Sequence, residues 1–313
     1  MSPDDINKLT NYVLIGLLYS VAIFFLYIVV FKTPPSMRIY RNTITNVACC
    51  YIIVMTDFAI LLQPVYATLP NKSCAKFSGL ISYFGLEMNI AALFLSVILM
   101  ENLALAIIIC FIYRYDQMKC MNKASFMQSR KGLLLCILMH ISVAIFSGCF
   151  TCIFLVVGEF VQYDGAFLYC IADEKHHIVQ ALSVLIGISL ILETSVIVIC
   201  AFLTIRRLSS LKTLMNKDTY RLNKLLTMNL VILVVLPIVF QLIPFCILCY
   251  AIYVRADSLY FWLSFACHIA FVDDILSLLA PLYFVTPYRR AIKSILCKNN
   301  VITVRTIAPK SSY

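Results

Sequence analysis

The chain has 313 residues, of which 62% are hydrophobic and 13% are charged, and its formal net charge is +10. A soluble domain carries about 45–50% apolar and about 25% charged residues, so this composition indicates a membrane protein. The sequence holds no polar stretch long enough to form a soluble catalytic domain.

Seven apolar stretches are long enough to cross a bilayer, at about 20 residues for each helix. Continuous apolar runs predict helices, because a membrane β-strand alternates polar and apolar residues. The predicted spans are 12–31, 43–66, 77–113, 133–157, 179–204, 225–253 and 259–285. We therefore expect an all-α membrane protein, with one seven-helix transmembrane domain over residues 1–297 and a short cytoplasmic tail at 298–313.

The positive charges give the orientation of these spans. The segments after the first, third, fifth and seventh spans hold 20 of the 25 Lys and Arg residues. Because Lys and Arg accumulate in cytoplasmic loops, the N-terminus is expected outside and the C-terminus inside. This bias accounts for the net charge without a nucleic-acid partner, and it fits a multi-pass membrane protein.

The same topology divides the 14 cysteines into outer positions and membrane-spanning positions. Cys74 and Cys170 fall in outer segments, where an oxidising environment favours a disulfide between the second outer loop and the top of the third span. The alternative is two free thiols. Most of the other cysteines lie in spans, where cysteine acts as a small hydrophobic residue.

Two modification sites are candidates. The sequon Asn71-Lys72-Ser73 faces outside, close to the membrane, and is a candidate for glycosylation. The basic amphipathic stretch 288–298 predicts a short interfacial helix after the seventh span, with Cys297 either carrying a palmitate or unmodified.

Acidic residues occur within four of the spans, at Asp57, Glu101, Glu193 and the pair Asp273-Asp274. At 1.5 Å per residue they lie roughly 20–24 Å above the cytoplasmic edge, at similar depth. One hypothesis is a partly hydrated cavity that holds a cation, a proton or a basic ligand group, with Asp57, Glu101 and Asp274 as the ion-binding set. The alternative is protonated carboxyl groups that keep the helices in register.

The candidates for ligand contact combine most of these acids with three further side chains. Glu87 lies near the outer end of the third span, and Phe240 and His268 lie in spans six and seven. The full set is Glu87, Glu101, Glu193, Phe240, His268, Asp273 and Asp274. The histidines are too scattered to form a metal site, so neither a metal nor a cofactor is expected.

Prolines interrupt the sixth span at Pro237 and Pro244, seven residues apart on one helix face. Each removes a backbone hydrogen bond and bends the helix. The bend is either a packing feature or a hinge for the inner half of the span, and Pro281 in the seventh span is a third hinge candidate.

Short motifs connect the chain to a known group of receptors. The third span ends in Tyr113-Arg114-Tyr115, and the seventh is followed by Pro287-Tyr288-Arg289. Together with the sixth-span sequence 236–244, they resemble the nematode serpentine chemoreceptors of classes h, i, d and str. The 236–244 sequence is most similar to class h or class i.

The resemblance implies a G-protein-coupled olfactory or chemosensory receptor in the ciliary membrane of sensory neurons. Its implied ligand is a small environmental molecule, and its implied partner is a heterotrimeric G-protein. Arg114 then holds the position of the rhodopsin-type arginine at the inner end of the third span. The implied coupling set is Tyr113, Arg114, Tyr115, Arg206, Arg207, Lys224, Tyr288 and Arg289.

The chain departs from the rhodopsin pattern in three ways. No acid precedes Arg114, although Asp116 follows it, so the usual Asp/Glu–Arg pair is absent. The sequence 280–283, Ala-Pro-Leu-Tyr, replaces Asn-Pro-x-x-Tyr. The seventh span contains no lysine, which excludes a retinal Schiff base.

Two other function classes are weaker. A transporter or channel could use the acidic midplane, but transporters commonly contain repeated halves and no repeat is visible. A seven-helix intramembrane hydrolase would need a set of metal-binding His and Asp residues, which four scattered histidines do not supply.

Overall fold

The computed structural model describes residues 3–34, 37–69, 72–119, 126–163, 166–172, 176–254 and 259–296. Asn71, Cys297 and the tail at 298–313 lie outside this part of the chain. Seven helical segments within it are long and apolar enough to cross a membrane. The chain is a seven-transmembrane helix bundle.

The helices follow the predicted order of spans. The first five spans are formed by α1 (Pro3–Lys32), α2 (Arg38–Thr56) with a π-helical turn at Asp57–Leu62, α3 (Leu86–Lys119), α4 (Arg130–Val157) and α5 (His176–Ser210). The sixth consists of α6 (Lys217–Pro237), a π-helical turn at Ile238–Leu242 and α7 (Ile243–Tyr253), and the seventh is α8 (Leu259–Phe284). A short helix, α9 (Thr286–Leu296), follows.

The structure corrects the expected ends of the second and third spans, 43–66 and 77–113. The helical second span stops at Leu62, because Gln63 adopts a left-handed conformation with φ 42°. Strands β1 (Pro64–Leu69) and β2 (Lys72–Phe77) follow it, and a 3₁₀ turn at Leu80–Phe84 leads into α3.

An outer sheet covers the extracellular end of the bundle and was not predicted. It adds β3 (Glu159–Tyr163) and β4 (Ala166–Ala172) to the first two strands, in the antiparallel order β1-β2-β4-β3. In its register Cys74 lies opposite Cys170, and the two form a disulfide with their Cα atoms 4.1 Å apart.

The main core lies on the side of the bundle formed by α1, α2, α3, α6 and α8. Phe25, Tyr51 and Phe111 are among its largest buried side chains. By contrast, the span formed by α5 has the smallest share of buried residues of the seven, so most of its side chains point away from the bundle. The polar groups that are buried in the core are therefore removed from both water and lipid.

The last helix packs on the inner ends of α1 and α8. Its Tyr288 is fully buried, whereas Arg289 and Arg290 are exposed. This division into an apolar and a basic face suits a helix that lies along the cytoplasmic membrane surface. Burial raises the pKa of Tyr288, which keeps this phenol neutral beneath the helix.

Candidate functional site

The adjacent Asp273 and Asp274 lie at the centre of a buried polar cluster. Both side chains are 0% exposed. The amide of Gln241 donates to Asp273 Oδ2 at 2.5 Å and to Asp274 Oδ1 at 3.3 Å. Gln241 belongs to the π-helical turn that follows Pro237. The cluster therefore ties the seventh span to the bend in the sixth.

Two hydroxyl groups complete this cluster from α2 and α8. Tyr51 and Ser277 are 1% and 2% exposed, and the Tyr51 hydroxyl lies close to Ser277 and to both carboxyl groups. We call Tyr51, Gln241, Asp273, Asp274 and Ser277 the α8 acid cluster.

A second acidic pair joins α3 and α5. The Glu193 carboxyl group forms a hydrogen bond with Glu101, and both side chains are partly exposed. Two carboxyl groups can share a hydrogen bond only when one of them carries a proton. In the next position of α3, Asn102 Oδ1 lies 2.6 Å from His140 Nδ1 on α4, so polar contacts link α3 to both of these neighbours.

The remaining predicted ligand and ion residues are dispersed. Asp57 opens the π-helical turn after α2, and its buried carboxyl group lies beside the Ser96 hydroxyl of α3. Glu87 is exposed in the first turn of α3, and Phe240 is partly exposed in the second π-helical turn. His268 lies near Ser264, which donates to Asn7 of α1 at 2.8 Å. The predicted set therefore forms several separate sites.

At the cytoplasmic end, Arg114 is held between α3 and α6. Its side chain is 7% exposed, and its guanidinium donates to Asn223 Oδ1 at 2.5 Å and to the Asn223 carbonyl at 3.0 Å. A third bond, of 3.2 Å, goes to Gln117 one turn along α3. We call this arrangement of Arg114, Gln117 and Asn223 the Arg114 latch.

Two tyrosines extend the latch to the other helices. Asn229 of α6 donates to the Tyr40 hydroxyl at 2.7 Å, which joins α6 to α2. Thr33, at the end of α1, donates to the Tyr288 hydroxyl of α9 at 3.1 Å. Short polar contacts thus join α3 to α6 and α6 to α2, and a separate contact joins the end of α1 to α9.

The residues beside Arg114 bind the following loop. Tyr113 donates to the Met127 carbonyl at 2.6 Å, and Asp116 accepts from the Met127 amide at 3.0 Å. Asp116 therefore organises the turn before α4, while neutral amide and carbonyl oxygens hold the arginine.

The other predicted coupling residues lie at the cytoplasmic surface. Tyr115 and Arg206 are exposed, as are Lys224 and Arg289, and Arg207 is partly buried. Together they place accessible positive charge and one exposed aromatic ring at the cytoplasmic end of the bundle.

The neutral polar residues in and around the Arg114 latch and the α8 acid cluster were not predicted from the sequence. They are Tyr40, Tyr51, Gln117, Asn223, Asn229, Gln241 and Ser277. Asn and Gln inside apolar helices carry a usable signal, because each needs a buried partner. Which partner each side chain reaches depends on helix packing, and the packing cannot be derived from one sequence.

Comparison with known proteins adds one finding. A family model described as "Serpentine type 7TM GPCR chemoreceptor Srh" matches residues 2–298. A search of curated proteins returns no match. The family match covers all seven spans and both polar clusters.

Proposed function

Because the chain belongs to the Srh family of serpentine seven-transmembrane chemoreceptors, we propose that it is a chemosensory G-protein-coupled receptor. It binds a small environmental molecule within the bundle, as one receptor domain over residues 1–297, and activates a heterotrimeric G-protein at its cytoplasmic face. Chemoreceptor families of this kind are generally non-enzymatic multi-pass membrane proteins. The ciliary membrane of sensory neurons is the proposed location.

The observation that carries this proposal is the Arg114 latch. A buried guanidinium that bonds to α6 closes the inner face of the bundle in this conformation. Outward movement of α6 would remove Asn223 from Arg114 and expose a cationic group to the G-protein. A ligand favours that movement only if it binds the open bundle more tightly than the closed one.

The acceptors in the latch are neutral, which determines how firmly it closes. A hydrogen bond to a charged group contributes about 1.5–3 kcal/mol, and an arginine–carboxylate pair is stronger because both partners are ionised. The amide of Asn223 therefore gives a moderate closing energy, suited to a receptor that a small ligand must open.

The sixth span contains the structural element that allows this movement. The backbone after Pro237 forms π-helical turns at Ile238–Leu242 before α7 begins. Irregular turns next to a proline concentrate bending at one place. Pro244 in the first turn of α7 and Pro281 inside α8 are the other proposed hinge positions.

For the ligand contact, the structure favours the Glu101–Glu193 pair over the α8 acid cluster. The pair is partly exposed, whereas Asp273 and Asp274 are completely buried. A ligand with an ammonium group could take the place of the shared proton between the two carboxylates. Glu87, Phe240 and His268 remain proposed ligand contacts.

The test is Gα release measured by energy transfer in cells, with a mixed panel of volatile and water-soluble molecules that includes amines. For an amine agonist, Glu193→Gln should raise the half-maximal concentration at least tenfold while leaving the maximal response unchanged. Ser195→Ala, an exposed position of α5 whose hydroxyl bonds only its own helix, is the control. An equal response of both variants would refute the ligand contact.

A further inference from the structure

A small cavity lies beside the Arg114 latch, between α2, α3 and α6. Its volume is about 10 Å³, and its wall includes Tyr40 and Thr43 of α2, Cys110 and Arg114 of α3 and Leu230 of α6. A space of about 10–15 Å³ is the least that holds one water molecule. The cavity therefore admits a single small particle and excludes larger polyatomic groups.

Two hydrogen-bond donors in this wall are left unused within the described chain. The Nε–H of Arg114 is buried and has no partner there, because the three bonds of the latch leave from Nη1 and Nη2. The Tyr40 hydroxyl accepts from Asn229, so its own hydrogen remains to be donated. This hydroxyl lies close to the guanidinium, and the two donors therefore share one side of the cavity.

The positive charge beside the cavity is not balanced by the residues that bind it. A guanidinium does not lose its proton in proteins, and Arg114 is only 7% exposed. Its bonded acceptors within the described chain are two side-chain amide oxygens and one backbone carbonyl. Neutral oxygens offset only part of the cost of burying a charge, whereas an anion would offset more of it.

We propose that this cavity binds one small monovalent anion, chloride in the cell, between the Arg114 Nε–H and the Tyr40 hydroxyl. Both groups donate, which suits an anion, whereas a water molecule would leave the charge unbalanced. One uncompensated positive charge matches a monovalent ion, and the volume of the cavity excludes phosphate and carboxylate groups. Chloride is the abundant monoatomic anion of the cytoplasm, and the latch lies at the cytoplasmic end of the bundle.

A bound anion would also stabilise the closed bundle. It would join α2 to α3 through Tyr40 and Arg114, while Tyr40 continues to accept from Asn229 of α6. Outward movement of α6 would remove Asn229 and Leu230 from the site, so chloride binds the closed state more tightly and favours it. This regulatory consequence rests on the proposed receptor function, whereas the binding of the anion does not.

The first test measures thermal unfolding of the purified full chain in nanodiscs of zwitterionic lipid. Sodium chloride and sodium gluconate are compared at equal concentration, because gluconate is too large for the cavity. An ion that binds only the folded state raises the unfolding midpoint, and chloride at about ten times its dissociation constant should raise it by about 3 °C over gluconate. Equal midpoints in the two salts would show that the cavity holds only a water molecule and would overturn the proposal.

Tyr40→Phe removes one of the two donors and should raise the half-saturating chloride concentration by about tenfold or more. Tyr51→Phe is the matched control, since Tyr51 is a buried tyrosine of the same helix whose hydroxyl lies near Ser277, away from this cavity. It should retain the wild-type chloride shift. An undiminished shift in Tyr40→Phe, or an equal loss in both variants, would refute the assigned site.

Line broadening of the chloride-35 NMR signal is a second, direct measurement in case Tyr40→Phe does not fold. Exchange between bound and free chloride should broaden the signal in the presence of the receptor. Arg114→Gln removes the positive charge and should abolish this broadening, whereas Arg206→Gln, which removes an exposed arginine of α5, should retain it. Equal broadening by Arg114→Gln and the wild type would overturn the proposal. Neither measurement uses signalling, so both distinguish failure of the anion site from failure of the receptor function.

Discussion

Asn223→Ala should make the receptor active without a ligand. In the closed bundle the Asn223 side chain accepts from Arg114 at 2.5 Å, and the substitution leaves only the Asn223 carbonyl and Gln117 as acceptors. The lost bond involves a charged donor and contributes about 1.5–3 kcal/mol to the closed state. Because about 1.4 kcal/mol corresponds to a factor of ten, the open-to-closed ratio should rise by about 10- to 100-fold.

The expected basal activity follows from that ratio. If about 1% of the wild-type receptor is open without ligand, a value within the usual range for minor states, the variant should be about 10–50% open. The assay is ligand-independent Gα release by energy transfer, normalised to the amount of receptor at the cell surface. The half-maximal agonist concentration should fall at the same time, because less of the binding energy is used to open the bundle.

Asn216→Ala is the matched control for this variant. Asn216 caps the start of α6, where its side chain accepts from the Asp218 amide, and it is exposed. Its loss weakens the same end of the same helix without changing the Arg114 latch. Wild-type basal activity in Asn223→Ala, or equal activation by both variants, would refute the latch.

Two further predictions concern the outer sheet. Cys74→Ser and Cys170→Ser should each destabilise the receptor by about 2–5 kcal/mol and reduce surface expression equally. The double variant should show no further loss. Additive losses would contradict a shared disulfide. Gly158→Ala should lower the unfolding midpoint, because a Cβ there would lie 2.2 Å from the Tyr169 ring, and overpacking costs about 1–3 kcal/mol. Gly187→Ala, with nothing within 4 Å of its Cβ, is the control and should not lower the midpoint.

The seven spans could be predicted from the sequence because bilayer thickness requires a minimum length of apolar helix. The approximate positions of α4, α5 and α8 follow directly from that rule. The outer sheet could not be predicted in this way. Its strands are only five to seven residues long, and they pair segments that are about 100 residues apart in the chain.

The polar clusters could be predicted only in part. The cost of burying charge identified the Asp273-Asp274 pair, since such groups are rare in membrane helices, whereas the family resemblance identified Arg114. Their partners Asn223 and Gln241 carry no charge, and their roles depend on the rotation and tilt of α6. The common depth predicted for the acids was insufficient, because residues at one depth on different helices can face different neighbours. For example, the Glu101–Glu193 pair and the acids of the α8 acid cluster were predicted at one depth but belong to two separate sites.

The central claim is that opening of the bundle is transmitted to a G-protein through Arg114. The most direct measurement compares Gα release by wild type and Arg114→Ala, at matched surface expression, across the mixed ligand panel. We expect a ligand response in the wild type that is abolished or greatly weakened in Arg114→Ala. Full signalling by Arg114→Ala would contradict it.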